Sequence, residues 1–178
     1  AAPPTPPTLP ELHASAAAAS SAKMSVKSIR EHEGKAMLKR WLPEFSNGKF
    51  TLDCPGCMVT PEVLTAKGVW EGLVEKNPWL KTSKLVAKPD QMIGGRGNAG
   101  LLAVNKDFDQ VKQWILDRMC KDSTVAGITG QLTHFLIEPF VAHKQEEEYY
   151  ICMQSHRYKD EIFFYHEGGV DVGDVDAK

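Results

Sequence analysis

The stretch from Leu85 to Val104 reads L-V-A-K-P-D-Q-M-I-G-G-R-G-N-A-G-L-L-A-V, and it limits the fold more than any other part of the chain. Gly95-x-Gly97-x-x-Gly100 fits the letter of the dinucleotide-binding fingerprint. That fingerprint, however, needs a helix straight after the glycines, because the helix N-terminus holds the pyrophosphate. Here the strand-like L-L-A-V follows, which excludes the Rossmann reading, and no G-x-x-x-x-G-K-[ST] occurs to make a P-loop. What remains is strand, glycine loop, strand. In such a hairpin the missing side chains let backbone N–H groups approach a polyphosphate closely. Arg96 adds a planar cationic fork suited to phosphate oxygens, and Lys88, at the end of the first strand, adds a point charge. The same residues also read as a surface hairpin with two solvated cations, an alternative that the loop alone leaves open.

Downstream, Leu136-Ile137-Glu138-Pro139-Phe140-Val141 runs a strand into Glu-Pro. Proline fixes its own φ and restricts the residue before it, so this segment is expected to be stiff, extended and hinge-like. Backbone groups near Phe140 and Val141 are then candidates to pair with an adenine edge. Glu138 would accept from the exocyclic amine and Glu148 from ribose hydroxyls. Glu146 and Glu147 read as a solvated charge run.

The periodicity predicts three helices. One starts at a capping box formed by Ser28 and Glu31, carries a buried stripe of Gly34, Met37, Leu38 and Trp41, and stops at Pro43. A second starts at Thr60-Pro61, buries Trp70, Leu73 and Val74, and closes at Asn77-Pro78. Asp107 opens a third, with Phe108, Val111, Ile115 and Met119 on one face. Strands are expected at Leu85 to Lys88, Leu101 to Val104, Phe135 to Val141, Tyr149 to Met153 and Ile162 to Tyr165, with a turn at Lys159-Asp160 between the last two. This order implies a mixed α/β fold. Residues 24–137 form a first subdomain, and 138–178 the hinge and the opening of a second, sheet-rich one that looks cut short.

Residues 1–23 hold five of the 11 prolines and only one basic residue, and are expected to form a disordered leader, with Met24 as a plausible start. The leader has no arginine and carries Glu11, unlike an organelle transit peptide. With 21 basic and 23 acidic residues the net charge is -2, so no overall field draws the chain to nucleic acid or an anionic membrane. No apolar run is long enough to span a bilayer. Four scattered cysteines without a secretory signal point to a reducing cytosol. Cys54 and Cys57 form a C-x-x-C around the turn dipeptide Pro55-Gly56. It is read as a turn, with metal or redox work as the lesser alternative.

Taken together, V-A-K-P-D-Q, G-R-G-N-A-G-L, F-L-I-E-P-F-V, E-E-Y-Y-I-C and the closing F-F-Y-H-E-G-G-V-D-V-G-D-V-D-A-K resemble the amino-terminal ATP-grasp region of the ATP-citrate lyase family over residues 26 to 178. The resemblance implies an ATP-grasp fold, incomplete at its C-terminus. It places Lys88, Gly95, Arg96 and Gly97 on the phosphates of ATP, Glu138, Pro139 and Val141 along the adenine, and Glu148 at the ribose. In that family ATP and Mg²⁺ drive the conversion of citrate and coenzyme A to acetyl-CoA and oxaloacetate through a phosphohistidine and citryl-CoA. The phosphorylated histidine, the coenzyme A and citrate pockets and the Mg²⁺ ligands match no segment of this chain, so no catalytic residue is expected in it. His166, in H-E-G-G, reads as structural.

Two departures stand out: Asn98 where relatives usually carry lysine after G-R-G, and Ala142 in place of a second hinge proline. The family implies a cytosolic oligomer acting with a CoA-ligase and citrate-synthase-like region. The more distant likeness is to succinyl-CoA synthetase β subunits. A non-catalytic nucleotide-binding module is the reading from another class.

Overall fold

A computed structural model describes residues 29–169 other than 94 and 126. The expected disordered leader, the start at Met24, the Ser28 cap and the closing segment 170–178 lie outside these residues. In chain order the elements are α1 (Glu31–Phe45), β1 (Cys57–Val59), α2 (Glu62–Thr65), α3 (Val69–Lys76), α4 (Trp79–Thr82), β2 (Leu85–Pro89), β3 (Ala103–Lys106), α5 (Phe108–Leu116), β4 (Asp122–Val125), β5 (Ile128–Gln131), β6 (Phe135–Pro139), a 3₁₀ turn (Gln145–Glu147), β7 (Tyr150–Ser155) and β8 (Asp160–Tyr165). The mixed α/β class is as expected. β1, β6, β2 and β3 form an antiparallel sheet in that order, and β4–β5 and β7–β8 are separate hairpins.

The central sheet has two unlike faces, because side chains alternate along each strand. Leu85 and Ala87 of β2, Phe135 and Ile137 of β6 and Val59 of β1 point into the apolar core with Val111 and Ile115 of α5. Trp114 of α5 meets Phe135 edge-on with ring centroids 5.7 Å apart, and Trp70 of α3 meets Phe108 likewise at 5.9 Å, geometries that add to simple burial. The opposite face carries Lys88 and Glu138, and α1 lies over it.

Asp107 begins α5 as expected, with the Gln110 side chain accepting the Asp107 N–H at 3.1 Å. Other boundaries differ for physical reasons. Pro43 does not stop α1, which runs to Phe45. A proline in the last turn loses one hydrogen bond, yet its carbonyl still accepts, here from the N–H of Gly48 at 2.8 Å. Glu33 rather than Glu31 reaches back to the chain entering α1, accepting from the N–H of Arg30 at 3.1 Å. No residue of α1 is buried: Met37 and Leu38 of the expected apolar stripe are half exposed, because the helix meets the sheet through its charged side.

The helix expected from Thr60 to Asn77 is two helices. Ala66 is extended, and Gly68 at φ 78° opens α3, a left-handed conformation that glycine adopts without strain. The turn of the last hairpin lies at His156 to Lys159, closed by His156 N–H to Lys159 O at 2.8 Å, so that Asp160 pairs with Ser155. Cys57 is a buried strand residue whose thiol burial pushes up to about 11. All four cysteines are free.

Candidate functional site

The glycine segment is a compact turn. Ala99 N–H bonds to Gly95 O at 3.0 Å, Gly100 N–H to Gly97 O at 3.0 Å and Leu101 N–H to Arg96 O at 2.9 Å. The last two are the nested pair of a Schellman closure, with Gly100 at φ 68° in the position that requires a left-handed residue. β3 starts after this turn. The helix that the dinucleotide fingerprint demands is therefore missing after the glycines, in keeping with the rejected Rossmann reading.

Arg96, at the head of the turn, braces it. One guanidinium nitrogen donates to Pro89 O at 2.7 Å and the other to Glu31 Oε2 at 2.9 Å. The first links the turn to the end of β2, the second to the first residue of α1. Lys88 projects from the α1 side of β2 and contacts both Glu31 Oε1 at 2.5 Å and Glu138 Oε2 at 3.0 Å. Lys35, one turn along α1 from Glu31, completes the group, at 2.8 Å from Glu31 and 2.6 Å from Glu138. Three cations thus surround two carboxylates, an excess of one positive charge. The side chain of Lys88 is 16% exposed and that of Glu138 11%, so the pairing is only partly screened by water.

Burial pushes the Glu31 carboxyl up, but hydrogen bonds and charge from Lys35 and Lys88 outweigh it and bring the group down to about 2. Burial also works against the charge on Lys35, and its bonds to Glu138 and Glu31 overcome this and raise it. The two shifts describe one set of contacts and are not additive.

Asp90 fixes this arrangement from below. Its side chain, 1% exposed, accepts the N–H of Glu31 at 3.0 Å and of His32 at 3.3 Å. It thereby satisfies two of the amides left unpaired at a helix start and favours the positive end of the helix dipole. Its own N–H bonds to His134 O at 2.8 Å. Sequence reading missed Asp90, Lys35 and the cation-binding side of Glu31. The Glu31/Lys35 spacing of four on a helix was the available signal, whereas nothing local marks Asp90 as a cap for a helix elsewhere in the chain.

The sequence-derived site residues fall into separate groups. Lys88, Arg96 and Glu138 come together through Glu31. Gly95 lines a cleft of about 690 Å³ between the glycine turn and the β4–β5 hairpin, with Asn98, Thr124 and Ile128 among its walls. Lys35 and Glu138 line another, of about 300 Å³, with His32, Lys39 and Asn77. Gly97 sits inside the Schellman closure. Both oxygens of Glu138 are engaged by lysines. Pro139 ends β6, and the following Phe140 N–H is taken by Lys84 O at 2.8 Å. Val141 is exposed and is joined to Glu148 through His143. Among the described residues no hydrogen bond or ion pair links Glu148 to Lys88 or Arg96.

A lysine on an antiparallel sheet, a glycine turn between the adjoining strands and a Glu-Pro strand end beside them belong to the mixed α/β class of ATP-grasp domains. Comparison with known proteins gives the particular member: a family profile described as "ATP-citrate synthase ATP-grasp domain" matches residues 25–178, and the chain belongs to that family. It is 45% identical over 157 residues to ATP-citrate synthase from Bos taurus, covering 87% of this chain and 14% of the relative. It is 43% identical over 176 residues to a probable ATP-citrate synthase subunit 2 from Schizosaccharomyces pombe, covering 87% of this chain and 36% of the relative. The fold resembles ATP citrate lyase from Methanothrix soehngenii, solved in complex with citrate and coenzyme A, with a TM-score of 0.64 and 42% identity over 79% of this chain and 32% of that one. The chain therefore spans about a third or less of the length of these relatives.

Proposed function

We propose that this chain is the nucleotide-binding front of an ATP-citrate lyase, an enzyme that uses ATP to convert citrate and coenzyme A to acetyl-CoA and oxaloacetate, with ADP and phosphate released. The observation that carries the reading is the position of Lys88. It is held between Glu31 and Glu138 on the covered face of the sheet, beside an arginine-braced glycine turn, in a chain of this family. The cluster's excess positive charge fits a polyphosphate. Lys88, Arg96 and the turn at Gly95 and Gly97 position the phosphates. The main chain of Pro139 to Val141 meets the adenine, with Glu138 beside it, and Glu148 meets the ribose. Bound ATP with Mg²⁺ supplies the transferable phosphoryl group, and Mg²⁺ is held by residues beyond Lys178. These side chains are positioning groups rather than acids or bases. Residues 24–137 act as the first ATP-grasp subdomain and 138–178 as the hinge and start of the second. Citrate and coenzyme A bind elsewhere, on a CoA-ligase and citrate-synthase-like region, in a cytosolic oligomer that supplies acetyl-CoA for lipid synthesis.

The test is Lys88→Ala in the full-length protein. Nucleotide binding measured by calorimetry is expected to fall at least a hundredfold while the circular dichroism melt stays close to that of the parent. Unchanged ATP affinity would overturn the site. ATP hydrolysis by the parent should require both citrate and coenzyme A. Turnover with succinate in place of citrate would assign the chain to the succinyl-CoA synthetases instead.

A further inference from the structure

His143 lies in the loop after β6, between two residues that the nucleotide reading uses. Its Nδ1 is 2.7 Å from the carbonyl oxygen of Val141, and its Nε2 is 2.7 Å from Glu148 Oε1. A carbonyl and a carboxylate are both acceptors, so both contacts are hydrogen bonds only when both ring nitrogens carry protons. A neutral imidazole has one N–H, and whichever tautomer it takes, one of the two contacts becomes lone pair against lone pair. The geometry therefore selects the imidazolium. In agreement, the Val141 carbonyl and then the Glu148 carboxylate raise the His143 proton affinity above the ordinary histidine range, with a smaller contribution from the charge of Glu147. Those two carboxylates are the charged groups around the ring. Glu147 is itself occupied, accepting the Lys144 N–H at 2.7 Å.

We propose that His143 is a positioning residue of the nucleotide site: as an imidazolium it ties the Val141 carbonyl to the Glu148 carboxylate and so sets the spacing of the groups that meet adenine and ribose. The inference rests on the reading of Val141 and Glu148 given above. Both contacts use only part of each acceptor. The Val141 N–H, a second carbonyl lone pair and Glu148 Oε2 stay available to a nucleoside. Val141 and His143 are loop residues without a strand partner, so a bond at each end of the ring removes freedom that the ligand would otherwise have to freeze. As pH rises through the raised histidine pKa, one end of the tie is released and nucleotide affinity falls.

The experiment is the ADP dissociation constant of the full-length protein from pH 6 to pH 9, for the parent and His143→Gln. Glutamine donates one such bond but does not titrate, and the ionisation of ADP itself cancels in the ratio of the two constants. His143→Gln is expected to bind roughly three- to tenfold more weakly than the parent at pH 6, with the ratio approaching one at pH 9. A ratio that stays constant with pH, at one or at any other value, overturns the proposal. Lys88→Ala in the same series separates the two failures. If that variant binds ADP like the parent, the nucleotide site itself is misplaced. If it loses binding while the His143→Gln ratio stays flat, only the role of His143 falls.

Discussion

The carboxylate of Asp90 caps helix α1 through the N–H of Glu31, a residue 59 positions earlier in the chain, at 3.0 Å. This bond, with its companion to His32, makes the end of β2 and the start of α1 a single unit. Lys88 and Glu31 then face each other because their backbones are pinned. Asp90→Ala is expected to cost about 2–3 kcal/mol, since it removes a cap and leaves two part-buried amides unpaired. Asp90→Asn keeps one acceptor oxygen and should cost about half as much. Urea unfolding gives the energies. If the alanine variant is as stable as the parent, the capping account is wrong.

Glu31 links the site to pH. Its folded value is lowered from 4.5 to about 2, so the folded protein binds that proton less readily than the unfolded chain. The stabilisation is complete above pH 4.5 and is lost as pH falls through about 2. It amounts to roughly 2–3 kcal/mol at neutral pH. Glu31→Gln should therefore be less stable than the parent at pH 6, and the gap should narrow by more than half between pH 5 and pH 3. Denaturant titrations of both proteins across that range measure it. A gap that does not change with pH would mean that Glu31 carries no net charge coupling.

Much of the site was legible because it is written in strand alternation. Lys88 and Glu138 each stand next to a proline at the end of an apolar strand, and the β2–β6 register sets Val86 against Glu138 and Lys88 against Leu136, which puts both charges on one face. The orientation of α1 was not legible. Its apolar stripe of Met37, Leu38 and Trp41 is the usual sign of a buried face. Here the ion pairs of Glu31 and Lys35 with the sheet, and the cap from Asp90, decide which side turns inward. Those contacts join residues far apart in sequence, and no local pattern encodes them. The β4–β5 hairpin escaped notice for another reason. D-S-T-V and I-T-G-Q are short, largely polar and exposed, so they lack the alternation by which strands are recognised.

Arg96 offers the sharpest separation of charge from geometry. Its guanidinium donates through one nitrogen to Pro89 O and through another to Glu31 Oε2, a fork that holds the glycine turn against both β2 and α1. Lysine carries the same charge on a single nitrogen and cannot span the two acceptors in the same fixed plane. Arg96→Lys therefore preserves the electrostatic field at the phosphates and removes the brace. Nucleotide affinity is expected to drop about tenfold, the equivalent of one charge-assisted hydrogen bond, and global stability to change little because the side chain is partly exposed. The loosening should show first as faster amide exchange at Ala99, Gly100 and Leu101, whose N–H groups close the turn. Exchange as slow as in the parent, together with a lost affinity, would mean that the arginine contacts phosphate directly and that the turn stands without it.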